Sequence, residues 1–284
     1  MTDIGHDLLK HLTLERLEEN LYRGDSRDIG GPNVFGGQVL GQALFAASQT
    51  VEGRDVHSLH AYFLRPGDKN APVVYEVEQT RDGKSYATRR IVAIQRGKPI
   101  FNMSASFQVR EEGIEHQFAM PVVPGPDGLP NMTELARQTF VEVPDKLSRF
   151  LSWQRPIEFR PVQPTHPLHP EACPPFRNLW MRANGVFPDD PAMHKVLLAY
   201  ASDFSLLGTA LLPHALTFYQ STIRAASLDH AMWFHRDFRM DEWLLYSMDS
   251  PSASHGRGFS RGNLFSREGK LVASVAQEGM IRKI

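Results

Sequence analysis

The chain reads as two copies of one pattern, and that duplication restricts it to folds built from two similar units. His60-Ala61-Tyr62-Phe63 stands near the start of one flank, and His230-Ala231-Met232-Trp233 near the start of the other. Both lie in an apolar run followed by basic residues. Val73-Val74-Tyr75 answers Leu244-Leu245-Tyr246, and Arg90 answers Arg261. Each flank then carries a Gly-Lys turn, Gly97-Lys98 and Gly269-Lys270, followed by a final alternating strand. The offset is about 170 residues with slips at turns, which fits a tandem domain duplication and not a solenoid. Of the 20 prolines, 14 fall between Pro121 and Pro191, so that stretch is expected to be loop-rich. The expected division is a first unit at 1–115, a proline-rich linker at 116–155 and a second unit at 156–284.

Each copy opens with one helix candidate and continues in strands. The first helix is expected over 36–47, where Gly37 and Gly41 share a face that is nearly bare backbone. Glycine costs helix stability, and close packing of this face on a curved sheet would justify it. The second helix is expected from 194 to about 212. Strands are expected at 232–235, 243–248, 258–265 and 271–277, from period-two stretches between turn signals. One helix followed by an antiparallel meander, twice, is an α+β architecture.

Charge and cysteine usage narrow the class. With 31 basic and 32 acidic residues the net charge is −1, and no charge run suggests a nucleic-acid or polybasic membrane partner. The first 24 residues mix acids and bases without an apolar core, so no signal peptide is expected. No apolar run is expected to span a membrane. The single cysteine, Cys173, excludes an intramolecular disulfide framework. These features predict a cytoplasmic protein.

Several motifs are better read as structural. Gly258-Phe259-Ser260-Arg261-Gly262 matches a nucleophile-elbow pattern, but strand and turn signals follow it and no histidine comes after His255, whereas that elbow needs a following helix and a later histidine. His230 and His235 are five apart on an expected strand, so they face apart and suit no common metal ion. Asp229 and His230 face apart for the same reason. Gly36, Gly37 and Gly41 lack both the Walker and the dinucleotide spacing, although a helix start still offers N–H groups to an anion or oxyanion. Two polar residues resist such readings. Asp203 sits inside the apolar stretch 196–207, where a carboxylate needs partners or work. Gln277 continues the inward face of Leu271, Ala273 and Val275 at the end of the expected last strand; at the repeat offset Phe107 takes its place in the first copy. Ser227 is a hydroxyl at a strand entrance and alone carries little weight.

Six segments carry a resemblance: Val34-Phe35-Gly36-Gly37-Gln38-Val39 with Gly41 to Leu44; His57 to Gly67; Arg81 to Tyr86 with Arg89-Arg90; Ala201-Ser202-Asp203; Asp229-His230 with Met232 to Arg236; and Gln277-Glu278-Gly279. Together they resemble the TesB-type acyl-CoA thioesterase II family, which includes peroxisomal acyl-CoA thioesterases. The resemblance implies a double hotdog, two sheets each wrapping a long helix. It implies hydrolysis of fatty acyl-CoA to fatty acid and CoA, with CoA as part of the substrate and no cofactor or metal. It also implies a catalytic set in the second unit, Asp203, Ser227 and Gln277, and a homo-oligomer, dimer or tetramer. Ser227 replaces the threonine frequent in bacterial relatives and keeps the hydroxyl. Two rivals are a hotdog enoyl-CoA hydratase or dehydratase and a non-catalytic acyl-CoA-binding protein.

Overall fold

A computed structural model describes residues 4–139, 155–220 and 222–284; the expected linker therefore lies partly outside the described residues. Helix α1 (Ile4–Leu12) and strands β1 (Glu15–Glu18) and β2 (Leu21–Gly24) lead into helix α2 (Gly36–Ser48). Strands β3 (Asp55–Phe63), β4 (Val73–Asp82), β5 (Tyr86–Gln95) and β6 (Lys98–Gln108) complete the first sheet. Helix α3 (Met132–Thr139) precedes β7 (Ile157–Pro161), β8 (Phe176–Ala183) and helix α4 (Pro191–Ser202). A 3₁₀ helix (Leu207–His214) leads to β9 (Ile223–Ser227), β10 (Asp229–Phe234), β11 (Leu244–Ser254), β12 (Arg257–Ser266) and β13 (Leu271–Lys283).

The two strand sets share one order. The first runs β1-β2-β4-β5-β6-β3 and the second β7-β8-β11-β12-β13-β10, and they join antiparallel through β3 and β10 into one continuous sheet. Each half wraps one helix. Helix α2 has no charged residue and is buried from Gly37 to Ala47; its two buried glutamines, Gln38 and Gln42, are hydrogen-bonded, among others to the Asp25 carbonyl and the Tyr75 hydroxyl. Helix α4 starts at an Asp190 side chain that accepts from the Ala192 N–H at 3.0 Å, with Pro191 in the first turn, a strong start signal. One apolar core runs through both halves and includes Leu40, Leu44, Met103, Leu197, Leu198, Met232 and Tyr246.

Strand register refines the repeat. Tyr75 faces Ala93 as Tyr246 faces Leu264, and Arg90 faces Ser104 as Arg261 faces Ala276. At the seam His60 faces Ala231, and the exposed aromatics Tyr62 and Trp233 follow each by two residues. The copies thus align Tyr62 with Trp233, one residue beyond the match read from the two His-Ala pairs. Because Ser104 corresponds to Ala276, Ala105 and not Phe107 stands in the place of Gln277. An uneven number of residues in the turns shifted the alignment.

Three other expectations change. The Gly37 and Gly41 face packs on α4 and not on the sheet: an added Cβ would lie 2.2 Å from the Tyr200 carbonyl oxygen at Gly37 and 3.2 Å from that of Val196 at Gly41. The second helix stops at Ser202 instead of continuing to 212. Asp203 is its C-cap, and Ser205 adopts a left-handed φ of 69° before the 3₁₀ turn begins. Over 191–214 the chain is long and apolar enough to cross a membrane, contrary to expectation, yet 78% of its most apolar window is buried inside the protein. The elbow-like Gly258–Gly262 segment lies wholly within β12.

Candidate active site

Where α4 ends, Asp203 is turned toward the start of α2 in the other copy. The Gly37 N–H donates to Asp203 Oδ2 at 3.0 Å. Phe35, the N-cap of α2, has no capping side chain, so Asp203 satisfies an orphan helix donor from across the copy boundary, at the helix end that attracts negative charge. The anion for which the helix start offered N–H groups is thus the protein's own carboxylate. At Gly36 an added Cβ would sit 2.7 Å from Asp203 Oδ2 and 3.0 Å from the Phe63 ring. Only glycine leaves that side of the carboxylate open.

Ser227 and Gln277 meet the other carboxylate oxygen. Ser227 stands just before β10, as expected, and also ends β9; its Oγ donates to Asp203 Oδ1 at 3.3 Å. Gln277 lies mid-strand in β13, not at a fraying end, and is fully buried. Its Nε2 donates to Asp203 Oδ1 at 2.6 Å and approaches Ser227 Oγ at 3.0 Å. Strand β13 makes this possible because it pairs with β10 up to Ala276 and with β9 from Gly279 onward. Gln277 therefore sits opposite the break between those two strands. All three predicted site residues are brought together, and they meet at the copy boundary rather than inside the second unit alone.

Two further residues complete the cluster. His230 is fully buried, with Nδ1 3.3 Å from Gln277 Nε2 and Nε2 2.9 Å from Ser202 Oγ. Burial lowers its pKa to about 4, against a smaller opposing pull from Asp203. His230 is a satisfied core histidine, engaged at both ring nitrogens; the sequence reading gave it no place in the site. Asp229 does face away, as expected: its Oδ1 accepts the Glu278 N–H at 2.6 Å, so no Asp229–His230 dyad forms. Cys173 is a free, partly exposed thiol.

A separate cavity of about 290 Å³ opens at the opposite end of the β3–β10 seam, between Asp55, His57, Lys195 and His235. Its cations are already matched, Arg110 with Asp55 and Asp237, and Lys195 with Asp55 at 3.6 Å. It contains none of the Asp203 cluster.

Comparisons with known proteins agree along the whole chain. The family described as "Acyl-CoA thioesterase" matches residues 148–280, and "Acyl-CoA thioesterase N-terminal domain" matches residues 23–108. The chain is 40% identical to acyl-CoA thioesterase 2 of Haemophilus influenzae, over 99% of each chain. It is 43% identical to human acyl-coenzyme A thioesterase 8, covering 95% of this chain and 87% of the relative. The crystal structure of an acyl-CoA thioesterase II, TesB2, from Mycobacterium marinum superposes with a TM-score of 0.79 at 44% identity, covering 97% of this chain and 98% of the other. A hot dog protein from Alicyclobacillus acidocaldarius, only 20% identical, gives the same TM-score of 0.79 over 98% of this chain and 99% of its own, and so shares the fold.

Proposed function

The chain belongs to the acyl-CoA thioesterase family, and on that premise we propose that Asp203, Ser227 and Gln277 activate the water with which it hydrolyses fatty acyl-CoA. The enzyme is a thioester hydrolase that releases free acid and CoA. The observation that carries the residue assignment is the shared oxygen: Ser227 and Gln277 both donate to Asp203 Oδ1, while Gly37 holds Oδ2.

In this reading the Asp203 carboxylate accepts a proton from water as general base. The water oxygen bonds to the thioester carbon, the C–S bond breaks, and the thiolate leaves as CoA. The proton held on Asp203 then passes to the departing sulfur or to solvent. Thiolate is a good leaving group, so no acyl-enzyme is needed. Ser227 and Gln277 hold the Asp203 carboxylate in one geometry toward the water, which lowers the entropic part of the barrier. CoA enters as substrate.

The hydratase rival needs a histidine acting with an acid. His230 is enclosed and Asp229 is engaged elsewhere, which favours hydrolysis. The reading includes a homo-oligomer, dimer or tetramer, in the cytoplasm. Its support is that β1 and β7 end the sheet among the described residues, where a second copy would add a strand; light scattering tests it.

The experiment is free-thiol release over a ladder of acyl-CoA chain lengths, beside hydration of an enoyl-CoA. Wild type should release thiol and leave enoyl-CoA unhydrated. Asp203→Ala should lower kcat by about 100-fold or more with a modest change in KM. Wild-type turnover in that variant refutes the residue assignment, and enoyl hydration without thiol release refutes the reaction.

A further inference from the structure

A carboxamide can present its N–H₂ or its C=O to a neighbour, and Gln277 aids Asp203 only in the first orientation. With oxygen and nitrogen exchanged, an amide oxygen would lie 2.6 Å from the carboxylate oxygen, two acceptors in contact. Yet the orientation has a cost: Gln277 Oε1 is buried without a partner among the described residues. Something must hold the amide in place against that cost. We propose that His230 is a positioning residue which, as the Nε2–H tautomer, accepts an N–H of Gln277 at Nδ1 and so aims the other N–H at Asp203 and Ser227. The inference rests on the hydrolytic reading above.

The hydrogen bonds form one ordered chain. The single hydrogen of Ser202 Oγ has two acceptors, the Ala199 carbonyl oxygen at 2.9 Å and Met232 Sδ at 3.3 Å, and the carbonyl is the stronger. The hydroxyl oxygen can then only accept from His230 Nε2, at 2.9 Å, so that nitrogen carries the proton. Nδ1 is left as an acceptor and faces Gln277 Nε2 at 3.3 Å. Gln277 has two hydrogens: one goes to His230, and the other is shared between Asp203 Oδ1 and Ser227 Oγ. The depressed pKa of His230, about 4 through burial, keeps Nδ1 free to accept near neutrality. The anchor is rigid: Ser202 is fully buried at the last turn of α4, and its carbonyl oxygen accepts the Tyr246 hydroxyl at 3.0 Å. The end of the second-copy helix thus sets the direction of an amide on β13. In the first copy Ala105 replaces Gln277, and Leu59, which faces Ala105, carries no ring nitrogen, so the relay exists once.

The test is acyl-CoA hydrolysis by His230→Phe, His230→Asn, Gln277→Ala and the His230→Phe/Gln277→Ala double variant. His230→Phe keeps a ring but no acceptor, and kcat should fall about tenfold or more while KM stays within about twofold. His230→Asn places Oδ1 where Nδ1 stood and should restore kcat to within about threefold of wild type. In the Gln277→Ala background, His230→Phe should change kcat by less than about twofold, because its only route is gone. Additive losses, or Asn performing no better than Phe, overturn the inference while leaving the Asp203 assignment intact. Full activity of Gln277→Ala would overturn the inference together with the role given to Gln277, and would leave Asp203 to be judged by its own variant. Should the histidine variants fail to fold, ¹⁵N spectra of the wild-type imidazoles decide. A neutral Nε2–H ring at His230 supports the relay, and an Nδ1–H or charged ring at pH 7 refutes it.

Discussion

Asp203 draws each of its three hydrogen-bond donors from a different element: Gly37 from the start of α2, Ser227 from the end of β9 and Gln277 from the middle of β13. A carboxylate offers about four acceptor positions, so one remains to take the proton of a water. Ser227 contributes a hydroxyl and nothing else that the arrangement requires. Ser227→Thr should therefore stay within about threefold of wild-type kcat, whereas Ser227→Ala should lose about tenfold or more, read by steady-state thiol release. The buried histidines make stability depend on pH. His230 and His11 both have pKa values lowered to about 4 by burial, below the 6.5 of an exposed imidazole. The unfolded chain binds protons in this window and the folded one does not, so stability is full above pH 6.5 and falls as pH drops toward 4. The His230 share is about 3 kcal/mol over the whole interval. Urea unfolding at pH 7 and pH 5 should show the loss, and His230→Asn should make it shallower. Asp203 was legible as a polar residue in an apolar stretch, and Gln277 by strand alternation. Ser227 needed the family resemblance, since nothing local sets its hydroxyl apart. His230 was missed because its partners, Ser202 and Gln277, lie on other elements.

At the scale of elements, the two helices and the strand break at 227–229 do most to place the site. Helices α2 and α4 approach closely because Gly37 and Gly41 present bare backbone to Tyr200 and Val196. Gly37→Ala would drive a methyl group into the Tyr200 carbonyl and push the α2 start away from Asp203. It should cost about 1–3 kcal/mol of stability and reduce kcat as well, measured by thermal unfolding and turnover on one preparation. The glycine face was visible in the four-residue spacing; its partner was not, because spacing defines a face without saying what lies opposite. The end of α4 was also hidden. Apolar residues continue past Asp203 with no proline or glycine before Gly208, and the break itself shows in the left-handed Ser205. That break is what exposes Asp203 to its partners.

For the whole molecule, duplication was the most legible feature, because motif pairs at a common offset report it directly. The seam was not: β3 and β10 pair through backbone groups that carry no residue signature. One sheet and one core crossing that seam predict a single cooperative unfolding transition. The four tryptophans, at 153, 180, 233 and 243, all fall outside 1–115, so their fluorescence reports from outside the first unit while far-ultraviolet circular dichroism reports on both units. The two probes should give coincident urea curves, and separated midpoints would show that the halves unfold independently. The copies also differ at the proposed site among the described residues: Gln277 has its counterpart in Ala105, so the first copy supplies the α2 start while the second supplies acid, hydroxyl and amide. The central claim is that water attacks the thioester directly, and a single turnover in H₂¹⁸O with enzyme in excess tests it most directly. The account predicts that the acid released carries ¹⁸O in that first turnover and that intact-protein mass spectrometry finds no acyl adduct. Unlabelled acid with ¹⁸O retained on Asp203, or an acyl group captured on Ser227, would contradict it.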